Sequence, residues 1–470
     1  MQQYLIYDAK KVPDPIFSLL SLFEVFAEQP WSMFLDSADA SHPNSRYQIM
    51  VAEPIATLTS QHGQTILTDE HGAHHYTTDP FKVLDCALKR YFPQVISSEL
   101  PFHGGALGYF AYDLGRYLEK QPSLAAADIH LPDMALGLYS WALIFDQHSK
   151  QLWFTDYTGD AEENWYKLQQ RLQAAPQTSS HFQLTSAWQA NMSQQQYQEK
   201  FAQVQQELLS GNCYQINLAQ RFSATYQGDE WQAYKLLREK NAAPFSAFIR
   251  IPEGAVISMS PERFIKLTDR QIETKPIKGT RPRGLCPETD QAEADALTLS
   301  EKDRAENVMI VDLLRNDLGK VSEAGSVKVP ALFAIESFPA VHHLVSTITS
   351  TLAAPFSACD LLRGAFPGGS ITGAPKISAM HIIEQLEPHR RNVYCGAIGY
   401  ISSNGNMDTN IAIRTLVCEQ GQLHCWAGGG LVADSDADSE YQETLDKVAR
   451  ILPVLSATRS DQDDDVSRAV

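Results

Sequence analysis

The chain is short of cysteine, has no long apolar run and carries no surplus of positive charge. Its seven cysteines, at 86, 213, 286, 359, 395, 418 and 425, are odd in number, scattered and never spaced as CxxC. That argues against a disulfide framework and predicts free thiols used as small core residues in a reducing compartment. No stretch of 18 apolar residues occurs, and the opening segment MQQYLIYDAKKVPDP has no signal-peptide pattern, so a soluble, cytoplasmic protein is expected. With 38 basic against 56 acidic residues the formal charge is −18, which argues against nucleic acid or an anionic membrane as the main partner. Internal repeats are absent too.

What is present suits a large soluble globule. The 470 residues are 44% hydrophobic and 20% charged, enough for a sizeable core. A polar stretch, Gln173–Asn191, separates an N-terminal third from the remainder, and SDQDDDVSRAV forms a charged tail expected to be disordered. HGGALGYFAYD and ALGLYSWALIFD read as strands, and the apolar spacing of Phe81–Tyr91 predicts a helix. Cys395–Val432 reads as a three-strand antiparallel meander with turns at Asn404-Gly405 and Glu419–Gly421. Its central strand would carry Ile411, Ile413, Thr415 and Val417 on one face and Arg414 on the other.

Several segments carry chemistry, each with a bland alternative. Ser300–Asp303 begins a capped helix ending near Gly319, with Asp303 and Glu306 on one face. A second helix is expected over Asp438–Leu452, with Tyr441, Leu445, Val448 and Leu452 buried and Glu440, Glu443 and Lys447 elsewhere. Glu306 and Glu443 could be Mg²⁺ ligands or merely solvated helix carboxylates. FPGGSITGAPK, residues 366–376, places glycines and Lys376 before a helix, a ready anion site or only a Gly-rich turn. Gly428–Gly430 could be a ligand contact or a strand exit. TKPIKGTRPRG, residues 274–284, packs four cations into eleven residues, either a solvated loop or a setting that favours one neutral, nucleophilic lysine. Glu262 in SPER is a possible general acid/base or half of a strand-end salt bridge.

The order SPERF, PIKGT, KDRAEN, GGSITGAPK, IRT, AGGG and EYQET resembles the chorismate-utilising enzymes, a family that includes anthranilate and aminodeoxychorismate synthases. The resemblance is strong over about residues 190–452 and weaker before. It implies an α+β fold of two packed antiparallel β-sheets surrounded by helices, with the N-terminal third interleaved into one composite globule. The expected regions are 1–175, a catalytic 190–455 and a tail at 456–470.

The resemblance also implies roles. Glu306 and Glu443 would bind Mg²⁺; Gly279, Thr280, Tyr394, Arg414 and Gly428, Gly429 and Gly430 would bind chorismate, with Lys376 as a further substrate-side lysine. Glu262 would be the general acid/base and His343 would sit near the departing hydroxyl. Lys278 occupies a slot where aminodeoxychorismate synthases have lysine and anthranilate synthases usually alanine. Gln215 occupies the slot where water-adding relatives carry a lysine base. Together these favour an amine-adding, C4-directed member working through a covalent Lys278 intermediate. Anthranilate synthase component I is the nearest rival. A non-catalytic chorismate- or tryptophan-binding regulator is the rival from another class, disfavoured because it needs no nucleophile. No GxCxG-type glutaminase motif is present, so ammonia would come from a separate glutamine amidotransferase subunit. A tryptophan pocket is implied at Asp36-Ser37, Asn44, Ser45, Arg46, Tyr47, Pro244, Phe245 and Ser246, as a structural ligand site.

Overall fold

The computed structural model describes residues 3–8, 18–38, 45–172, 180–337 and 341–459. Asn44, the first part of the expected linker and residues 460–470 of the expected tail lie outside these. Two antiparallel sheets, of thirteen and twelve strands among the described residues, make up the frame. Each takes strands from both ends of the chain: Gln3–Asp8, Met33–Asp36, Tyr47–Val51, Trp141–Asp146 and Gln151–Asp156 join one, and Ala56–Tyr76, Gly105–Phe110 and Met134–Tyr139 join the other. The N-terminal third is therefore interleaved, as the resemblance implied.

Alternation along the strands explains why two sheets stack. Met33, Ile49, Val51, Ala247 and Ile249 face the core between the sheets, while Phe34, Met50 and Phe248 point outward. Successive side chains of a strand take opposite faces, so a strand apolar on both faces needs cover on both. The outward residues are covered by helices: Trp231 and Tyr234 of Glu230–Asn241 stack at 5.0 Å and pack against Phe23, Phe34 and Phe248.

Three expectations need correction. Cys395–Val432 is not one meander but two hairpins in different sheets, Ala397–Ser402 with Met407–Ile411 and Thr415–Glu419 with Gln422–Leu431. The expected central strand breaks at 412–414, where Arg414 adopts φ of +51° and the chain passes between sheets. The turns themselves fall as expected, with Gly405 and the pair Gln420-Gly421 at positive φ. The expected C-terminal helix is split into Ala437–Val448 and Leu452–Ser456, and its fully buried positions are Glu440, Thr444 and Val448. The helix packs against the Gly-rich strand, which admits polar atoms, rather than against a purely apolar face. The polar stretch before Asn191 is not only a surface crossing: Gln183–Leu184 and Gln189–Ala190 pair with the long strand Gln215–Gln227, and Phe182 and Leu184 are buried.

A buried ion pair ties the Gly-rich loop to the frame. Arg391 donates to both oxygens of Glu387, at 2.9 and 2.6 Å, and to the carbonyls of Ile371 and Asn217. The two side chains are 1% and 4% exposed. Removing one partner strands a buried charge, at a cost of about 3–5 kcal/mol. Glu387→Ala should therefore shift the urea unfolding midpoint sharply downward, whereas Glu163→Ala, at the exposed Lys167–Glu163 pair, should leave it in place. Equal midpoints for both variants would show that the Arg391 pair is not structurally decisive.

Candidate active site

The chain crosses from one sheet to the other twice at the same place. Gly254–Ser260 pairs with Thr415–Glu419 in the first sheet, and Arg263–Thr268 pairs with Met407–Ile411 in the second. Between them sit Pro261-Glu262 on one crossing and residues 412–414 on the other. The crossings are stitched together by Ser260 Oγ donating to the Ile411 carbonyl at 2.6 Å and by the Ile411 amide donating to the Glu262 carbonyl at 3.0 Å. A strand that leaves its sheet stops filling the space beside it. The result is a cavity of about 760 Å³.

Glu262, Lys278, Gly279, Thr280, Glu306, His343, Tyr394, Arg414, Gly428, Gly430 and Glu443 all line this cavity. Two helices far apart in sequence, Glu301–Gly319 and Ala437–Val448, bring Glu306 and Glu443 to it. The former is started by the Ser300 side chain accepting from the Asp303 amide at 3.3 Å, as the sequence predicts.

Ser370, from the Gly-rich loop, joins two of these groups. Its carbonyl accepts from Lys278 Nζ at 3.4 Å and its hydroxyl donates to Glu262 Oε1 at 3.3 Å. Burial pushes the Glu262 carboxyl up to about 7, against the opposing pull of Lys278, the Ser370 hydroxyl and Lys447. A carboxyl poised there suits proton transfer near neutral pH. His343 Nδ1 is 2.9 Å from the Thr280 hydroxyl.

Arg414 makes no side-chain hydrogen bond among the described residues, although it is largely covered. Burial, with Arg450 nearby, lowers its pKa from the ordinary arginine value. An arginine held without a partner beside a cavity is an anion receptor in waiting. Tyr394 stacks on Trp426 at 6.0 Å with the rings nearly parallel, giving the cavity a flat wall.

The carboxylates respond differently to one pocket. Burial raises Glu306 above the ordinary range, and Asp303 and Glu443 add to that while Lys278 and Lys302 oppose it. Glu443 also suffers burial, but the charge and hydrogen bond of Lys447, with Lys278 and Lys302, hold it below the ordinary value. Lys447 reaches Glu443 at 2.6 Å and the Gly428 carbonyl at 2.7 Å. A Cβ on Gly429 would lie 3.0 Å from Glu440 and 3.4 Å from Glu443, so glycine there leaves room beside the carboxylates. Among the described residues no cluster of three or more His, Cys, Asp or Glu is arranged to hold a metal. The donor set on offer is instead a pair of hard carboxylates opening on a cavity, which fits a cation that takes one or two carboxylates plus substrate and water.

Three expected positions fall elsewhere. Lys376 does not face the cavity; its ammonium donates to Asp317 at 2.7 Å and the Ala365 carbonyl at 2.8 Å, because the helix Lys376–Leu386 turns its first residue toward the frame. Gln215 is 1% exposed and sits behind Gly430, whose notional Cβ would meet its amide nitrogen at 2.2 Å. Gly429 turns toward the carboxylates rather than lining the cavity. The cations expected around Lys278 are also committed elsewhere: Arg281 pairs with Asp303 at 3.4 Å and Arg283 with Asp290 at 2.5 Å. Ser370, Lys302, Glu440 and Trp426 line the site but carried no role in the sequence reading. Ser370 and Lys302 lie inside the motifs FPGGSITGAPK and KDRAEN, and Glu440 three residues before Glu443, so each of these had a readable signal; Trp426 had none.

A second groove, of about 1140 Å³, is lined by Asp36, Arg46, Tyr47, Pro244, Phe245 and Ser246. Ser37 and Ser45 are buried beside it rather than lining it. Asp36 accepts from Gln48, Tyr234 and Arg238, and Arg46 pairs with Asp146 at 3.0 Å.

This constellation, on this fold, places the chain in the family described as chorismate binding enzyme, whose model matches residues 32–453. The chain is 55% identical over 435 residues to aminodeoxychorismate synthase component 1 of Escherichia coli (strain K12), covering 92% of this chain and 95% of that one. It is 56% identical to the protein of the same name from Salmonella typhimurium, covering 91% and 93%. In three dimensions it resembles anthranilate synthase component I from Streptococcus pneumoniae, with a TM-score of 0.77 at 31% identity, over 88% of this chain and 93% of that one. No helix among the described residues is long and apolar enough to cross a membrane.

The Glu262 shift has a consequence for stability. A carboxyl raised to about 7 in the folded state against about 4.3 unfolded binds more protons when folded. Stability therefore falls as pH rises between those values, with a slope of about 1.4 kcal/mol per pH unit from this group, and levels off above. Glu262→Gln should remove that component, so the variant gains on the wild type from pH 5 to 7 in denaturant melts. Parallel pH profiles would contradict the raised carboxyl.

Proposed function

We propose that this chain is the chorismate-binding subunit of aminodeoxychorismate synthase, placing an amino group on C4 of chorismate toward p-aminobenzoate and folate in the cytoplasm. The observation that carries the reading is Lys278, an amine lining the cavity and linked through Ser370 to the poised carboxyl of Glu262. Anthranilate synthesis would need no amine there. The chain's close likeness to two proteins named aminodeoxychorismate synthase component 1 supports the same choice.

Arg414 and the backbone of Gly428 and Gly430 would receive the carboxylates of the dianionic substrate. Mg²⁺ held by Glu306 and Glu443 would neutralise the ring carboxylate. Lys278 in its neutral form forms a bond to C2 as the C4–O bond breaks, and Glu262 gives its proton to the departing hydroxyl, which leaves as water. His343 stands beside that hydroxyl. Ammonia then forms the C4–N bond as the C2–N bond breaks and lysine leaves. The ammonia comes from a separate glutamine amidotransferase subunit, since this chain has no glutaminase nucleophile motif. The groove at Asp36, Arg46, Tyr47 and Phe245 holds L-tryptophan as a structural ligand.

The test uses purified chain with chorismate and Mg²⁺. Ammonium salts should yield 4-amino-4-deoxychorismate, glutamine alone should not, and chorismate without any amine should leave a covalent adduct that peptide mapping locates at Lys278. Lys278→Ala should form no adduct and lose most of the product. Full activity in that variant, or an adduct at Lys275, would return the chain to the anthranilate reading.

The metal assignment has its own check. Glu306→Gln and Glu443→Gln should each lower turnover by roughly 10²-fold or more while leaving the melting temperature unchanged. Undiminished wild-type turnover in excess chelator would remove Mg²⁺ from the mechanism.

A further inference from the structure

Behind the Tyr394–Trp426 wall of the cavity lies a separate polar chamber of about 370 Å³. The two are back to back. Asn392, which lines the chamber, is two residues from Tyr394, and Arg221 spans the wall, its guanidinium 5.8 Å from the Trp426 ring and in ion-pair contact with Asp128 of the chamber. Nothing in the proposed reaction uses this space.

Most charges around it are already satisfied. Asp113 accepts from Arg116 at 2.8 Å and from the Asn392 amide at 2.8 Å, and Asp128 accepts from both arms of Arg221 at 2.8 and 2.7 Å. Two buried atoms are not, and a third group is only loosely held. Asp133 has only a long hydrogen bond from the Tyr117 hydroxyl, 3.4 Å. Asn392 is 6% exposed, its amide nitrogen donates to the Leu131 carbonyl at 3.2 Å, and its Oδ1 has no partner. Arg390 donates from Nη2 to Ser123 at 2.7 Å, but its buried Nε has no partner.

A buried acceptor or donor left unpaired costs about 1–3 kcal/mol, so two such atoms, Asn392 Oδ1 and Arg390 Nε, beside the half-buried Asp133 point to a ligand that pairs them. Their signs specify it. Asp133 and Asn392 Oδ1 ask for a donor, best a cationic amine, and Arg390 Nε asks for an acceptor, best a carboxylate. We propose that this chamber is a binding site for a small zwitterion of the α-amino acid class, its ammonium on Asp133 and Asn392 and its carboxylate on Arg390. Burial and the neighbouring Asp113 push the Asp133 carboxyl up to about 7 against the pull of the Tyr117 hydroxyl, Arg390 and Arg116, and an incoming ammonium would favour its ionised form. The volume suits a ligand of that size and excludes a macromolecule. The site stands apart from the groove at Asp36 and from the chorismate cavity, so it does not depend on the reaction proposed above.

The test is calorimetric titration of the full chain with L-alanine, L-serine and L-glutamine, beside ethylamine and propionate, which each carry half of the zwitterion. At least one amino acid should bind, and both half-ligands should bind at least tenfold more weakly. Asp133→Asn, which keeps size and shape while removing the anion, and Arg390→Lys, which keeps the charge while removing the Nε donor, should each weaken that binding at least tenfold. Unchanged melting temperatures and unchanged ammonium-dependent turnover would show the variants to be folded. Three results overturn the proposal: no amino acid bound, ethylamine bound as tightly as the amino acid, or amino-acid binding indifferent to both substitutions, which would put the ligand in another site.

Discussion

Two stretches of backbone change sheets side by side, and much of the site depends on how they are fastened. The Ser258 and Thr415 hydroxyls meet at 2.9 Å on the first-sheet side of the crossing, and Ser260 and Glu262 bond to Ile411 at the crossing itself. Each backbone group released from one ladder must find a partner before the next ladder begins. The Arg414 amide plane turns through a left-handed conformation so that its carbonyl accepts from the Met259 amide at 3.0 Å. That turn sends the guanidinium toward the cavity instead of along a sheet face. Glu262 reaches the same cavity from the other crossing.

The electrostatics follow from this placement. A protein of net charge −18 that receives a dianion must reverse the sign of its field locally, and it does so by leaving Arg414 uncommitted while pairing other cations. Lys302 and Lys447 stand against Glu440 and Glu443, and Arg281 and Arg283 are taken up by Asp303 and Asp290. Lys278 therefore shares its cavity with carboxylates as well as cations, and the two arginines that follow it in sequence are paired with Asp303 and Asp290. Its amine nitrogen reaches the Ser370 carbonyl, and the Ser370 hydroxyl in turn reaches Glu262. The same burial that holds a proton on Glu262 near neutrality also lifts Glu306, so each acid in the cavity answers to its own balance of desolvation and neighbouring charge.

Much was legible in the sequence because it was local. The cap at Ser300, the turns at Asn404-Gly405 and Gln420-Gly421, and the helix over Phe81–Tyr91 rest on residues within a few positions of one another, where propensity and hydrogen bonding suffice. The motif order in turn pointed to Glu262, Lys278, Glu306, Arg414 and Glu443, all of which line one cavity. The sequence could not say that the strand through Arg414 is broken, since alternation of apolar residues runs on unbroken from Ile411 to Val417, and both ends do face the same core. Nor could it say that Lys376 turns away to Asp317, fifty-nine positions distant, or that Ser370 joins Glu262 to Lys278. By itself, then, the sequence determined the local caps and turns, the residue types of the site and the family. Tertiary structure alone decided which carboxylates keep a proton, which cations are free and which sheet each strand joins, because charge balance, burial and long-range pairing depend on distances that only the folded chain sets.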